Sequence, residues 1–104
     1  MTYHFVEDFR LGIKLPVLQK EWHRFDKQTQ ETILLEWETI RSSIPDRIKE
    51  LEGIIIGKLE AIGLEENFNK ACQLNTEVSE LASTINDLWI WYRTNQKVSH
   101  KENL

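Results

Sequence analysis

The chain contains 104 residues, of which 40% are hydrophobic and 29% charged, and its formal net charge is −4 at pH 7. This length and composition predict one globular domain and exclude general disorder. The acidic balance disfavours nucleic-acid binding, because an acidic surface repels the phosphate backbone. The single cysteine, Cys72, excludes an internal disulfide and a zinc site with several cysteines, and it indicates a reducing, cytoplasmic setting.

The sequence shows no targeting or membrane-spanning segment. Residues 1–10 include Glu7 and Asp8 and lack the apolar core of a secretory signal. The longest purely apolar runs, residues 54–56 and 88–92, are far too short to cross a bilayer, so no membrane partner is expected. Only 4 glycines and 2 prolines are present, which favours long helices over many short strands.

Residues 9–15 alternate between apolar and other side chains, which is typical of an extended segment with one apolar face. The apolar positions are Phe9, Leu11, Ile13 and Leu15. No later segment resembles a strand that could pair with this one. We therefore predict an extended N-terminal arm over residues 1–15, which packs either on its own helices or against its copy in a dimer.

Pro16 suits the start of a helix, because its missing N–H would be unpaired there anyway. The apolar positions around and after it fall at spacings of three and four, which places them on one helical face. These are Leu15, Leu18, Trp22 and Phe25. Asp26 or Thr29 can cap a following helix. Its apolar face would be Ile33, Trp37, Ile40 and Ile44. Since no glycine or proline separates the two stretches, one continuous helix is an alternative.

Pro45 is the strongest boundary signal, because it lacks a backbone donor and disfavours helical geometry at Ile44. Ser43 and Asp46 resemble a capping box at this point. The apolar spacing nevertheless continues across the site without a break, so a break and a kink are both possible. The positions are Ile40, Ile44, Ile48, Leu51, Ile55, Leu59 and Ile62.

A last long helix is predicted from about residue 65 to about residue 95, after a C-cap at Gly63. Its apolar positions alternate three and four, the pattern of a coiled-coil seam. They are Ala71, Leu74, Val78, Leu81, Ile85, Leu88 and Tyr92. The short link makes this helix an antiparallel neighbour of residues 45–62. The predicted fold is all-α: a bundle domain of three to four helices over residues 16–95, followed by a flexible polar tail over residues 96–104.

Two regions carry more apolar or small surface than one packed stripe requires. Gly53, Gly57 and Ala61 line up opposite the main stripe of their helix, where glycine costs about 1 kcal/mol relative to alanine. A second helix that approaches closely would explain them.

The second region is Trp89, Ile90 and Trp91. Trp89 lies at the edge of the seam, whereas Ile90 and Trp91 point away from it. Burial of such a side chain is worth about 1.5–3 kcal/mol, so either the N-terminal arm or a partner should cover them. We therefore take Gly53, Gly57, Ala61, Trp89, Ile90 and Trp91 as the candidate interface.

Catalytic and metal-binding motifs are largely missing. Glu77-x-x-Glu80 resembles the acidic pairs with which all-helical nucleotide pyrophosphohydrolases of the MazG type hold magnesium, and the resemblance implies a magnesium-dependent enzyme with Asp87 as a third ligand. The second acidic pair of that family does not follow. Another pair of potential ligands, His23 and Asp26, lacks a third residue in register.

We accordingly predict a non-enzymatic protein–protein interaction module that forms a homodimer and uses no catalytic residue, metal or cofactor. The MazG-like hydrolase is the alternative. A basic tail is present, but it lacks interleaved aromatic residues and therefore does not predict nucleic-acid binding. The tail consists of Arg93, Lys97, His100 and Lys101.

Overall fold

The computed structural model describes the backbone of residues 2–102 and the side chains of residues 2–94. In chain order the elements are strands β1 (Tyr3–Asp8) and β2 (Ile13–Leu18), a 3-10 turn (Trp22–Arg24), and helices α1 (Lys27–Arg41), α2 (Ile44–Leu64) and α3 (Phe68–Glu102). The chain is mostly helical, as predicted, with two long helices and a small N-terminal sheet that was not predicted. The predicted tail, residues 96–104, lies outside the residues whose side chains are described.

The two strands form an antiparallel hairpin in which Asp8 is opposite Ile13. Gly12 has a φ of 76° in the connecting turn, a conformation that suits glycine because it has no Cβ. The Leu11 N–H donates to the Asp8 carboxylate at 2.9 Å, which fixes the turn. The alternation of residues 9–15 thus reflects a turn and a strand, and the strand's partner precedes it in the chain.

The prediction of a helix that begins at Pro16 is wrong. Pro16 lies within β2 and is opposite Phe5. A two-stranded sheet consists only of edge strands, and proline is tolerated on an edge because its missing N–H need not pair. The spacing of three and four from Leu15 to Phe25 therefore did not mark a helical face. Phe25 is buried beyond the 3-10 turn, where its ring packs edge-on against Tyr3 at 6.3 Å.

Asp26 begins α1, and its side chain accepts a hydrogen bond from the Thr29 N–H at 2.7 Å. This bond satisfies a backbone donor that the first turn leaves unpaired, and it lowers the pKa of Asp26. The capping role predicted for Asp26 is confirmed, so the alternative of one continuous helix is wrong. Helix α1 buries Ile33 and Trp37.

Helices α1 and α2 are separated by a turn at Ser42 and Ser43, so the chain has a break between two helices here and not a kink within one helix. Pro45 lies in the first turn of α2, where no intrahelical donor is required. The predicted capping box does not form. The Ser43 hydroxyl donates instead to the carbonyl of Ile40 at 2.6 Å.

Helices α2 and α3 form the predicted antiparallel hairpin. Gly63 lies inside α2, which ends at Leu64, so its predicted role as a C-cap is wrong. The Asn67 side chain caps α3 by accepting from the Lys70 N–H at 3.1 Å.

The hydrophobic core lies at one end of the molecule, where the start of α2 meets the later part of α3. We call this end the base, and we call the end at residues 65–67 the tip. The core residues come from the β-hairpin and all three helices: Leu11, Ile13, Trp37, Ile44, Ile48, Leu51 and Leu88. Because the molecule measures 59 × 22 × 19 Å, α2 and α3 continue well beyond this core as a pair of helices.

Truncation of Leu88, which is fully buried, should test the position of this core. We expect Leu88→Ala to lower the free energy of unfolding by about 2–5 kcal/mol, because it removes core contacts and leaves a cavity. Urea denaturation at one protein concentration measures the change. Leu35→Ala is the matched control, since Leu35 is 72% exposed and its truncation should change stability by no more than about 0.5 kcal/mol. Equal losses in the two variants would contradict the placement of the core.

Candidate interaction surface

One side of the α2–α3 pair is covered near the base by the β-hairpin and α1. The Arg10 guanidinium contacts the Asp87 carboxylate at 2.9 Å, and Arg47 donates to the Leu11 carbonyl at 2.9 Å. On the same side, the Trp37 and Trp91 rings meet edge to face at 5.7 Å. These contacts attach the N-terminal elements to a single side of the helix pair.

The other side of the pair has no covering layer in the described part of the chain. A groove there is lined by Glu52, Ile55, Ile56, Ala82 and Ile85. Helical spacing extends it toward the tip and toward the base. We call this surface the open face, and its residues are Ile55, Ile56, Leu59, Val78, Ala82, Ile85 and Trp89. Ile56 is 57% exposed, Leu59 51% and Trp89 38%.

Among the described residues, no other element lies against the two glycines of the predicted stripe. Gly53, Gly57 and Ala61 are all exposed, and a Cβ added at either glycine would meet no atom within 4 Å. Gly53 lies three residues before Ile56 and so borders the open face, whereas Gly57 and Ala61 turn further outward. The structure therefore supplies no intrachain helix that would explain this stripe.

The three residues of the second predicted region, Trp89, Ile90 and Trp91, lie on different surfaces of α3. Trp89 lies on the open face, with its ring edge-on to Tyr92 at 5.6 Å. Ile90 is 49% exposed on an outer surface of α3. Trp91 packs against Trp37 of α1 on the covered side and against the core. Pro16 and Leu18 of β2 line a small apolar pocket together with Trp91, so α1 and the β-hairpin both lie beside it.

Sequence reasoning missed the exposure of Leu59, because its seam spacing indicated a filled position. It also missed Leu64 and Phe68, two strongly exposed apolar side chains at the tip. Their position at the end of α2 and the start of α3 was the available signal, since side chains there have few neighbours.

Among the described side chains, the acidic residues of α3 do not converge on one point. Lys58 binds Glu77 at 2.7 Å, and Arg10 binds Asp87. Glu77 and Asp87 also lie ten residues apart, about 15 Å along the helix. Among the described side chains, no group of three or more His, Cys, Asp or Glu residues could hold a metal ion. The hydrolase alternative therefore gains no support from the geometry.

Two arginines outside the basic tail, Arg41 and Arg47, are engaged in contacts within the chain. Arg41 pairs with Glu38 at 2.7 Å and lies over the Tyr92 ring at 4.5 Å. Arg47 pairs with Glu50. These contacts do not leave the two guanidinium groups as one free basic patch.

The chain matches no protein family, no curated protein and no solved structure. Over the described residues, none of the helices is both long enough and apolar enough to span a membrane.

The Lys58–Glu77 pair gives a test of the distal packing between α2 and α3. A hydrogen bond from Lys58 lowers the pKa of Glu77 below its ordinary value of 4.5. We expect Lys58→Met to raise that pKa toward 4.5, as measured by NMR titration of the Glu77 carboxyl carbon. Lys49→Met should leave it unchanged.

The sign of the linked stability follows from the lowered pKa. The Glu77 carboxylate contributes to the free energy of unfolding above pH 4.5, and this contribution is lost as the pH falls through the lower folded-state pKa. Lys58→Met should therefore lose less stability from this group on acidification than the wild type does. An unchanged Glu77 pKa in Lys58→Met would show that the two helices do not meet here.

Proposed function

We propose that this protein is a non-enzymatic protein–protein interaction module that associates with itself through the open face. The observation that carries the proposal is a long apolar face on two helices with no third layer over it. Exposed apolar patches on soluble proteins commonly mark interaction sites. Two packed helices usually become a stable unit when further helices cover such a face.

The residual exposure of the open face gives the scale of the driving force. Full burial of a large apolar side chain is worth about 1.5–3 kcal/mol, so covering what remains exposed of Ile56, Leu59 and Trp89 would contribute about 1 kcal/mol each. Association must also overcome the loss of rigid-body freedom, which makes a continuous surface more effective than one exposed residue.

The form of the surface favours a protein partner. The groove is shallow and open, with aliphatic and aromatic walls and acidic Glu52 at its rim. Small-molecule sites are normally more concave and hold several converging polar groups. A reducing, cytoplasmic setting belongs to the same proposal, because Cys72 is exposed and unpaired.

Sedimentation velocity between about 1 and 100 µM tests this function. We expect a reversible dimer for the wild-type chain and a dissociation constant at least tenfold higher for Ile56→Lys, because a desolvated ammonium group is costly. Glu52 and Glu60 lie four residues before and after this position, so a lysine there should also favour its own helix. A loss of association in Ile56→Lys would therefore not result from a loss of helical structure in α2.

Leu35→Lys provides the matched control, because it places the same charge on an exposed position of α1. Its dissociation constant should equal that of the wild type. A wild-type chain that remains monomeric at the highest concentration would refute self-association.

A further inference from the structure

We propose that the occupant of the open face is a second copy of this chain in antiparallel orientation, with the tip of each hairpin over the base of the other. This inference rests on the proposed function and specifies its geometry. In the resulting four-helix bundle, α2 lies against α2 and α3 against α3. The twofold axis lies in the interface, perpendicular to the helices, and passes Ala82 and the midpoint between Ile54 and Ile55.

The placement of the axis follows from the monomer. The Lys58–Glu77 contact places Ala82, five residues after Glu77, level with Gly53, five residues before Lys58. On the open face itself, Ile55 and Ile56 line one groove with Ala82, which places this level slightly further along α2. We take the centre of the open face as Ala82 on α3 and the midpoint of residues 54 and 55 on α2. A rotation of 180° about this point brings the two open faces together and pairs positions equidistant from the axis.

Large and small residues alternate about this axis in a complementary way. On α2, Ile56 of one copy lies opposite Gly53 of the other, which has open space around it. On α3, Trp89 lies opposite Asn75, with small Ala71 one turn further away. Ala82 meets its own copy at the axis. The Ile56 side chain thus faces a glycine, and Trp89 lies between a medium-sized polar residue and an alanine, so both have room to pack against the other copy.

Charges favour the antiparallel arrangement as well. On the α2 rim of the open face, exposed Lys49 lies toward the base and exposed Glu60 toward the tip. Within the described side chains, neither has an ionic partner. The antiparallel arrangement places Lys49 of one copy opposite Glu60 of the other, twice per dimer.

The area available is sufficient for a stable pair. The stretch from Ala71 to Arg93 is about 33 Å long, and two neighbouring helices are about 20 Å wide. Their product, roughly 650 Å² per copy, approaches the size of about 800 Å² per partner that specific interfaces commonly bury.

Charge reversal tests the orientation. We expect Lys49→Glu alone and Glu60→Lys alone each to raise the dimer dissociation constant by about three- to tenfold, since each replaces two attractive pairs with two repulsive ones. The double variant K49E/E60K should return to within about twofold of the wild type. Lys27→Glu on α1 is the matched charge control and should change nothing. A double variant that dimerises no better than either single variant would overturn the antiparallel arrangement.

Cysteine cross-linking tests the axis independently. In a Cys72→Ser background, Ala82→Cys should form a covalent dimer rapidly with mild oxidant or a short bismaleimide. Thr76→Cys, on a side of α3 remote from the open face, should cross-link at least tenfold more slowly. Circular dichroism confirms that both variants are folded.

The outcomes separate the two proposals. A dimer in sedimentation with rapid Thr76→Cys cross-linking, or with slow Ala82→Cys cross-linking, would overturn this geometry while self-association stands. A wild-type monomer at all concentrations would overturn both.

Discussion

The burial of Ile44 at the start of α2 and of Leu88 in the later part of α3 within one core is the constraint on which the remaining structure depends. Both side chains are fully buried, and they hold these parts of the two long helices together. The break at Ser42 and Ser43 lets Ile44 enter this core, because it lets α1 leave in a different direction from α2. With α1 on one side of the pair, the β-hairpin packs on that side too, and the other side remains uncovered.

The turn of the β-hairpin shows how closely the covered side is packed. Gly12 lies against the Arg47 guanidinium, and a Cβ there would collide with it, in addition to the strain of its positive φ. Arg47 in turn donates to the Leu11 carbonyl and pairs with Glu50. One charged side chain thus joins the turn to α2, and a substitution at Gly12 would have to displace that side chain and adopt a strained φ. In the described part of the chain, no comparable contact anchors an element on the open face.

The sequence predicts the features that depend on a long apolar repeat. It misses the features that depend on which side of the helix pair the N-terminal elements cover. The α3 seam repeats at three and four over its whole length, so the hairpin of α2 and α3 could be foreseen. Residues 15–25 fit helical spacing by coincidence, because a short strand and a loop can place apolar residues at the same intervals. The covering of Trp91 by Trp37 could not be derived, because it depends on the direction in which the chain turns at Ser42. The open face was hidden for the same reason: periodicity marks an apolar position without saying how many neighbours will reach it.

The glycines of α2 connect this asymmetry to association. Glycine inside a helix reflects either a close neighbour or a tolerated cost of about 1 kcal/mol. Among the described residues, neither Gly53 nor Gly57 has a close neighbour from another element. Small Ala82 occurs at nearly the same level on α3, so α3 is thin where the two open faces would meet, and Gly53 leaves room at the border of the open face on α2. These small residues would allow two backbones to approach closely, and the binding free energy would then also stabilise the distal part of the hairpin, which the core does not reach.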